Sequence, residues 1–237
     1  ICPHLKNIIS ILRGNFMQSN ISLNASRSSA IEINKVLKNT YMLLSMTLAF
    51  SAVTAGISMA MGLSHMAALV MTLVSFGLLF VVNKNADKAS GIFWIFAFTG
   101  LMGASLGPML NHYAAMPGGP SLIMQALGGT ALIFFALSGY ALTSKKDFSF
   151  MGGFLMVGLI VAVIAMIANF FFQIPALSLA ISAAIIMIMS GLILFDTSRI
   201  IHGGETNYIR ATVSLYLNIY NIFVHLLHLL GVFGGDD

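Results

Sequence analysis

Seven uninterrupted apolar stretches leave this chain few folds to choose from. A helix rises 1.5 Å per residue and the hydrocarbon core of a bilayer is about 30 Å thick, so a spanning helix needs about 20 apolar residues. Such stretches run over 40–62, 66–83, 92–111, 121–142, 151–171, 176–198 and 209–231. Charged or turn-forming groups separate them: Ser64 and His65; Asn83 to Asn85; Pro117 to Pro120; Lys145 to Asp147; Gln173 to Pro175; and His202 to Glu205. Strands of a membrane barrel would instead alternate over about ten residues. The predicted fold is therefore an all-α membrane protein of seven transmembrane helices. Residues 39–231 form one membrane domain, between a cytoplasmic N-terminal segment (1–38) and a short tail (232–237).

Charge agrees with that reading. Only 8% of the 237 residues are charged, against about 25% in soluble domains, which excludes a water-soluble globular fold, a coiled coil and a nucleic-acid-binding domain. The net charge of +4 matters less than its placement. Lys6, Arg13, Arg27, Lys35 and Lys38 precede the first span, Lys84 and Lys88 follow the second, Lys145 and Lys146 follow the fourth, and Arg199 and Arg210 flank the sixth connection. Those are all eleven basic residues, and a seven-span chain places every one on the same side. The positive-inside rule then puts the N-terminus in the cytoplasm and the C-terminus outside.

The single cysteine, Cys2, allows no internal disulfide and no thiolate metal cluster. Residues 1–16 read as sequence upstream of a natural start at Met17. The polar, Ser/Asn-rich stretch from Met17 to Lys38 reads as a flexible tail.

Ionisable groups inside a span are functional suspects, because each costs roughly 2.5–3.5 kcal/mol on insertion scales. Asp196, near the end of the sixth span, is the only embedded acid. It is either a proton or cation site, or a carboxylate paired with Arg199 at i+3. The seventh span carries Ser214, Asn218, Asn221, His225 and His228 at spacings of four, three, four and three, all within about 40° of one line at 100° per residue. Lipid cannot satisfy such a stripe, so it faces the bundle interior, and the seventh helix is central. It either lines a pathway with proton-exchanging histidines or bonds neighbouring helices. Thr47, Ser51, Thr54 and Ser58 in the first span, and Gly100, Gly103 and Gly107 in the third, predict close helix packing.

Catalytic signatures are missing from the sequence. It holds no His-Glu-x-x-His, no second embedded carboxylate, no embedded lysine in the seventh span and no phosphate loop. No enzyme activity and no cofactor or metal is expected; Ca2+ would enter only as a permeant ion. A solute transporter lacks support because no inverted repeat or pair of broken helices is legible.

The stretch IHGGETNYIRATVSLYLNIYNIF, from Ile201 to Phe223, resembles the end of the bacterial Bax inhibitor-1 family. NKVLKNTY (34–41), AFTG (97–100), ALGGTA (126–131) and IPALSLAISA (174–183) extend the resemblance over residues 30 to 231. It implies a seven-helix bundle with the last helix enclosed, in the bacterial inner membrane. Two activities are implied as well. One is modulation of FtsH, a membrane-anchored ATP-dependent protease, which engages the cytoplasmic N-terminal tail. The other is a pH-sensitive calcium leak, gated by aspartates on the sixth and seventh helices that share a proton. Asp196 matches the first aspartate, but the second falls on Asn218. An Asp–Asn pair lacks the repulsion between two carboxylates. Asp196, Asn218 and Arg199 are thus the ion-site residues to follow, with the Ser214–His228 stripe beside them. FtsH and the bilayer are the expected partners, and the oligomeric state, a homo-oligomer included, stays open.

Overall fold

The computed structural model describes residues 3–144 and 146–234, with side chains from Ile31 onward. Lys145 and the last three residues of the tail lie outside the described residues, as do the side chains of Lys6, Arg13 and Arg27. Eight helices follow one another: α1 (Pro3–Met61), α2 (His65–Asn85), α3 (Ser90–Ser105), α4 (Gly107–Ala114), α5 (Gly119–Ser144), α6 (Met151–Phe172), α7 (Pro175–Ile201) and α8 (Tyr208–Phe233). There is no strand among the described residues. Seven segments are long and apolar enough to cross a membrane, the first over Ile31–Met61 and the third made of α3 and α4 together. The seven expected spans are all present.

Two boundaries differ from the sequence reading. The backbone of α1 is helical back to Pro3, through the stretch whose composition suggests a flexible tail. Extending an existing helix needs no new nucleus, which removes the main barrier to helix formation in a polar segment. The third span is interrupted at Leu106. Pro108 has no N–H to donate, and the Leu106 N–H turns to Gly103 O at 3.0 Å, a tighter i−3 bond, before α4 resumes.

Helix α8 occupies the centre, touching α1, α3, α5 and α7, while α2 leans on α3 and α6 on α7 at the two flanks. The flanking helices turn large apolar side chains outward, Phe80 on α2 and Val161 and Phe171 on α6 among them. The seam of α1 with α3 and the start of α4, called the α1–α3 seam below, is built from small residues. A Cβ at Gly103 would overlap the Ser51 carbonyl and the Thr54 hydroxyl, one at Gly107 would overlap Ser58, and one at Gly100 would lie 2.6 Å from the Phe50 ring. Without a hydrophobic force between helices in lipid, such close approach supplies the van der Waals contact that holds them.

Helices α6 and α7 form a hairpin with only two linking residues. Gln173 takes a left-handed conformation (φ 52°), and the Asn169 side chain accepts the Ile174 N–H at 3.0 Å. The opposite end of the bundle gathers Lys35, Lys38, Lys84, Lys88, Lys146, Arg199 and Arg210 and is stitched across its loops. Arg210 pairs with Asp87 at 2.7 Å, and Asn207 donates to Ala86 O at 2.9 Å and to Asp87 at 2.8 Å. Ser198 accepts the Phe148 N–H at 3.0 Å and donates to Lys146 O. In the same α5–α6 connection, the Ser149 hydroxyl and N–H both donate to Asp147, which holds that carboxyl below the usual carboxylate range.

Candidate functional site: the α7–α8 seam

Asp196 lies on α7, one and a half turns before its end, and its side chain is turned toward α8. There Asn218, only 4% exposed, donates through Nδ2 to Asp196 Oδ2 at 2.8 Å. The pairing with Arg199 does not form. The Arg199 guanidinium lies over the Phe195 ring at 5.5 Å and reaches the α7–α8 loop, where it meets Glu205 at 3.8 Å and donates to Gly204 O at 3.2 Å. Arg199 sits in the last turn of α7, so the hydrated loop with its own carboxylate is within reach, whereas Asp196 faces the packed interior.

The structure brings three of the five stripe residues to α7. Besides Asn218, His225 Nδ1 shares a hydrogen bond with the Ser182 hydroxyl at 3.1 Å, and His228 Nε2 one with Ser178 at 3.1 Å. The other ring nitrogen of His228 bonds the Tyr113 hydroxyl of α4 at 3.3 Å. Asn221 instead donates to Leu217 O within its own helix at 2.8 Å. Ser214 is half-buried and has no hydrogen bond to another helix among the described residues. The seam is therefore a ladder of interhelical hydrogen bonds with a carboxylate at its basic end. Among the described residues no three His, Cys, Asp or Glu side chains come together as metal ligands.

A second polar line on α8 was not legible as such. Thr212 donates to Thr40 O at 3.3 Å, Tyr216 shares a hydrogen bond with Ser51 at 2.7 Å and donates to Thr99 O at 3.3 Å, and Tyr220 bonds Ser105 at 3.3 Å. These contacts tie α8 to α1 and α3. The available signal was the presence of Tyr216 and Tyr220 deep in an apolar span, since a buried tyrosine hydroxyl requires a partner.

With this geometry in hand, the comparisons with known proteins are specific. The family model described as "Inhibitor of apoptosis-promoting Bax1" matches residues 33–235. A protein of Escherichia coli K12 named "Modulator of FtsH protease YccA" is 56% identical over 217 residues, covering 91% of this chain and 98% of its own. An uncharacterized membrane protein of Vibrio cholerae is 55% identical over 90% of this chain and 96% of its own. An uncharacterized protein of Pseudomonas aeruginosa is 47% identical over 91% and 97%.

Proposed function

The chain belongs to the Bax inhibitor-1 family, and from that premise we propose that it modulates an FtsH-type membrane protease by occupying it. It is a multi-pass inner-membrane protein, and the printed name of its Escherichia coli K12 relative describes a modulator rather than an enzyme. The observation that carries the proposal is the 56% identity, over nearly the full length of both chains, to a protein named as an FtsH modulator.

In this reading the basic end faces the cytoplasm, as the positive-inside rule favours, and the segment before Lys38 is the handle that the protease grips. Pulling on that handle loads α1, whose membrane part is locked to α3 by small residues and to α8 through Ser51 and Thr40. A bundle held this way resists extraction, and the enzyme stays engaged. The test is degradation of a membrane substrate by FtsH in liposomes, with this protein, without it, and with residues 17–38 deleted. Inhibition that disappears with the deletion supports the proposal. Degradation at an unchanged rate with the protein in excess refutes it.

A second reading, a cation leak, is favoured by the carboxylate of Asp196 lying within a span against Asn218. It expects calcium flux in liposomes that Asp196→Asn abolishes, and Asn218→Asp to make that flux more sensitive to pH. Flux indifferent to Asp196→Asn removes the residue from any such pathway.

A further inference from the structure

On the side of α8 away from α7, a crevice of about 600 Å3 opens between α1 and α5. Its floor is Tyr216, Ile219, Tyr220 and Phe223 of α8. Its outer rim is open to the surroundings, with Phe135 71% and Leu127 48% exposed. At the basic end the two walls are joined by a hydrogen bond between the Tyr41 and Ser138 hydroxyls.

The chemistry of the lining narrows the ligand. Six hydroxyls border the crevice, and every one is bonded to protein: Tyr41 to Ser138, Ser45 to Met42 O, Ser51 to Tyr216, Thr130 to Ala126 O, and Tyr220 to Ser105. Each of these hydroxyl protons has a protein acceptor, so no donor is left for an outside ligand and most of the surface offered is hydrocarbon.

The dimensions narrow it again. Along α1 the lining runs from Tyr41 to Met59, about 27 Å at 1.5 Å per residue, so the crevice is a long, narrow slot. A helix of that length and about 10 Å across would occupy about 2,100 Å3 and does not fit. A single hydrocarbon chain, whose carbons keep about 4 Å from their neighbours, does. The α1 lining also follows one stripe, Tyr41, Ser45, Leu48, Ala52, Ala55 and Met59, at spacings of four and three. One step of three back along that stripe stands Lys38, exposed and, among the described residues, in no ion pair.

We propose that this crevice binds one acyl chain of an anionic phospholipid, with the headgroup against Lys38 at the basic end and the chain lying between α1 and α5 over Tyr216 and Tyr220. Beyond the Tyr41–Ser138 link the lipid stands in for direct α1–α5 packing and fills a gap that would otherwise leave both walls short of partner atoms. This goes beyond the protease reading and stands if that reading fails.

The test uses the full chain in vesicles of phosphatidylethanolamine carrying a trace of phosphatidylglycerol or phosphatidylcholine with a photoreactive acyl chain. Labels should concentrate on α1 and α5 residues of the crevice. Ala52→Trp and Ala131→Trp, one filling it from each wall, should each lower that labelling about tenfold, as a loss of about 1.4 kcal/mol of binding does. Val161→Trp, on the outer face of α6, should leave it unchanged and controls for folding. Lys38→Gln should reduce the preference for phosphatidylglycerol about fivefold, the weight of one basic residue at an anionic surface. Labels spread as heavily over α6 as over the crevice, or labelling that survives both tryptophan variants, would overturn the proposal.

Discussion

The two seams that assemble this bundle use opposite means. Between α1 and α3, glycines sit where hydroxyl and backbone atoms of the facing helix already occupy the space of a side chain. Between α7 and α8, longer polar side chains reach across and bond: Asp196 with Asn218, Ser182 with His225, Ser178 with His228. Shape holds the first seam and directed hydrogen bonds hold the second. A shape-matched seam cannot absorb an added atom, because helices would have to separate along their length. A bonded seam loses one rung at a time, and measured interhelical hydrogen bonds in membranes average only about 0.6 kcal/mol. The two should therefore respond very differently to substitution.

The sharpest test enlarges Gly103. Gly103→Leu should cause the largest loss of any change here, about 3 kcal/mol or more by overpacking, read as the midpoint of unfolding in mixed micelles with increasing SDS. Gly103→Ala should already be costly, and a midpoint equal to that of the unchanged protein would break the account of the α1–α3 seam. Next comes Asn218→Leu, which leaves the Asp196 carboxylate buried without its donor, at about 1–3 kcal/mol. Replacing both residues, Asp196→Leu with Asn218→Leu, should recover most of that loss, since no charge remains to be satisfied. A double variant as unstable as Asn218→Leu alone would mean that the seam is held by shape after all.

The contrast also shows what a sequence of this kind reveals. The seven spans and the one-sided basic residues were legible because both depend on hydropathy and charge, which act residue by residue. The Gly100–Gly103–Gly107 and Ser51–Thr54–Ser58 stripes were legible because helical period places them on single faces. The stripe on α8 predicted that this helix would be enclosed, but not which partners it would meet. Arg199 pairs with Glu205 rather than Asp196 because the direction of its side chain is set by the loop beyond α7, which no i+3 rule contains. The interruption at Leu106 was hidden by an apolar pattern that continues through Pro108. Tyr216 and Tyr220 read as ordinary apolar residues because their bonds go to helices more than a hundred positions away. The crevice has no sequence signature at all, since it lies where α1 and α5, joined at Tyr41 and Ser138, leave the rest of their length unpacked.

Smaller effects sharpen the comparison within α8 itself. His228→Leu removes the link to both Ser178 and Tyr113, and should lower stability by about 0.6–1.7 kcal/mol, the span measured for interhelical hydrogen bonds in lipid. Tyr216→Phe keeps the ring against Phe98 (5.7 Å between centroids) but removes the bonds to Ser51 and Thr99, at about 1 kcal/mol. Because these two side chains serve different seams and share no partner, the losses should add in the double variant. A clear departure from additivity would show that the two seams are coupled through α8.

The smallest effect should come from the most visible ion pair. Asp87 binds both Arg210 and Asn207 across two loops, yet its side chain is 72% exposed and that of Arg210 42%. Exposed pairs of this kind contribute about 0.2–1 kcal/mol and weaken in salt, so Asp87→Ala should shift the unfolding midpoint little, and less at high ionic strength. The same variant bears on the proposed mode of protease control. If resistance to extraction resides in the seams, Asp87→Ala should leave inhibition of FtsH intact, while Gly103→Leu, which opens the α1–α3 seam, should turn the protein from an inhibitor into a substrate that is degraded. The reverse ranking would place the resistance in the loops of the basic end, where on the proposed mode the protease would meet the bundle first, and the seams would then serve assembly alone.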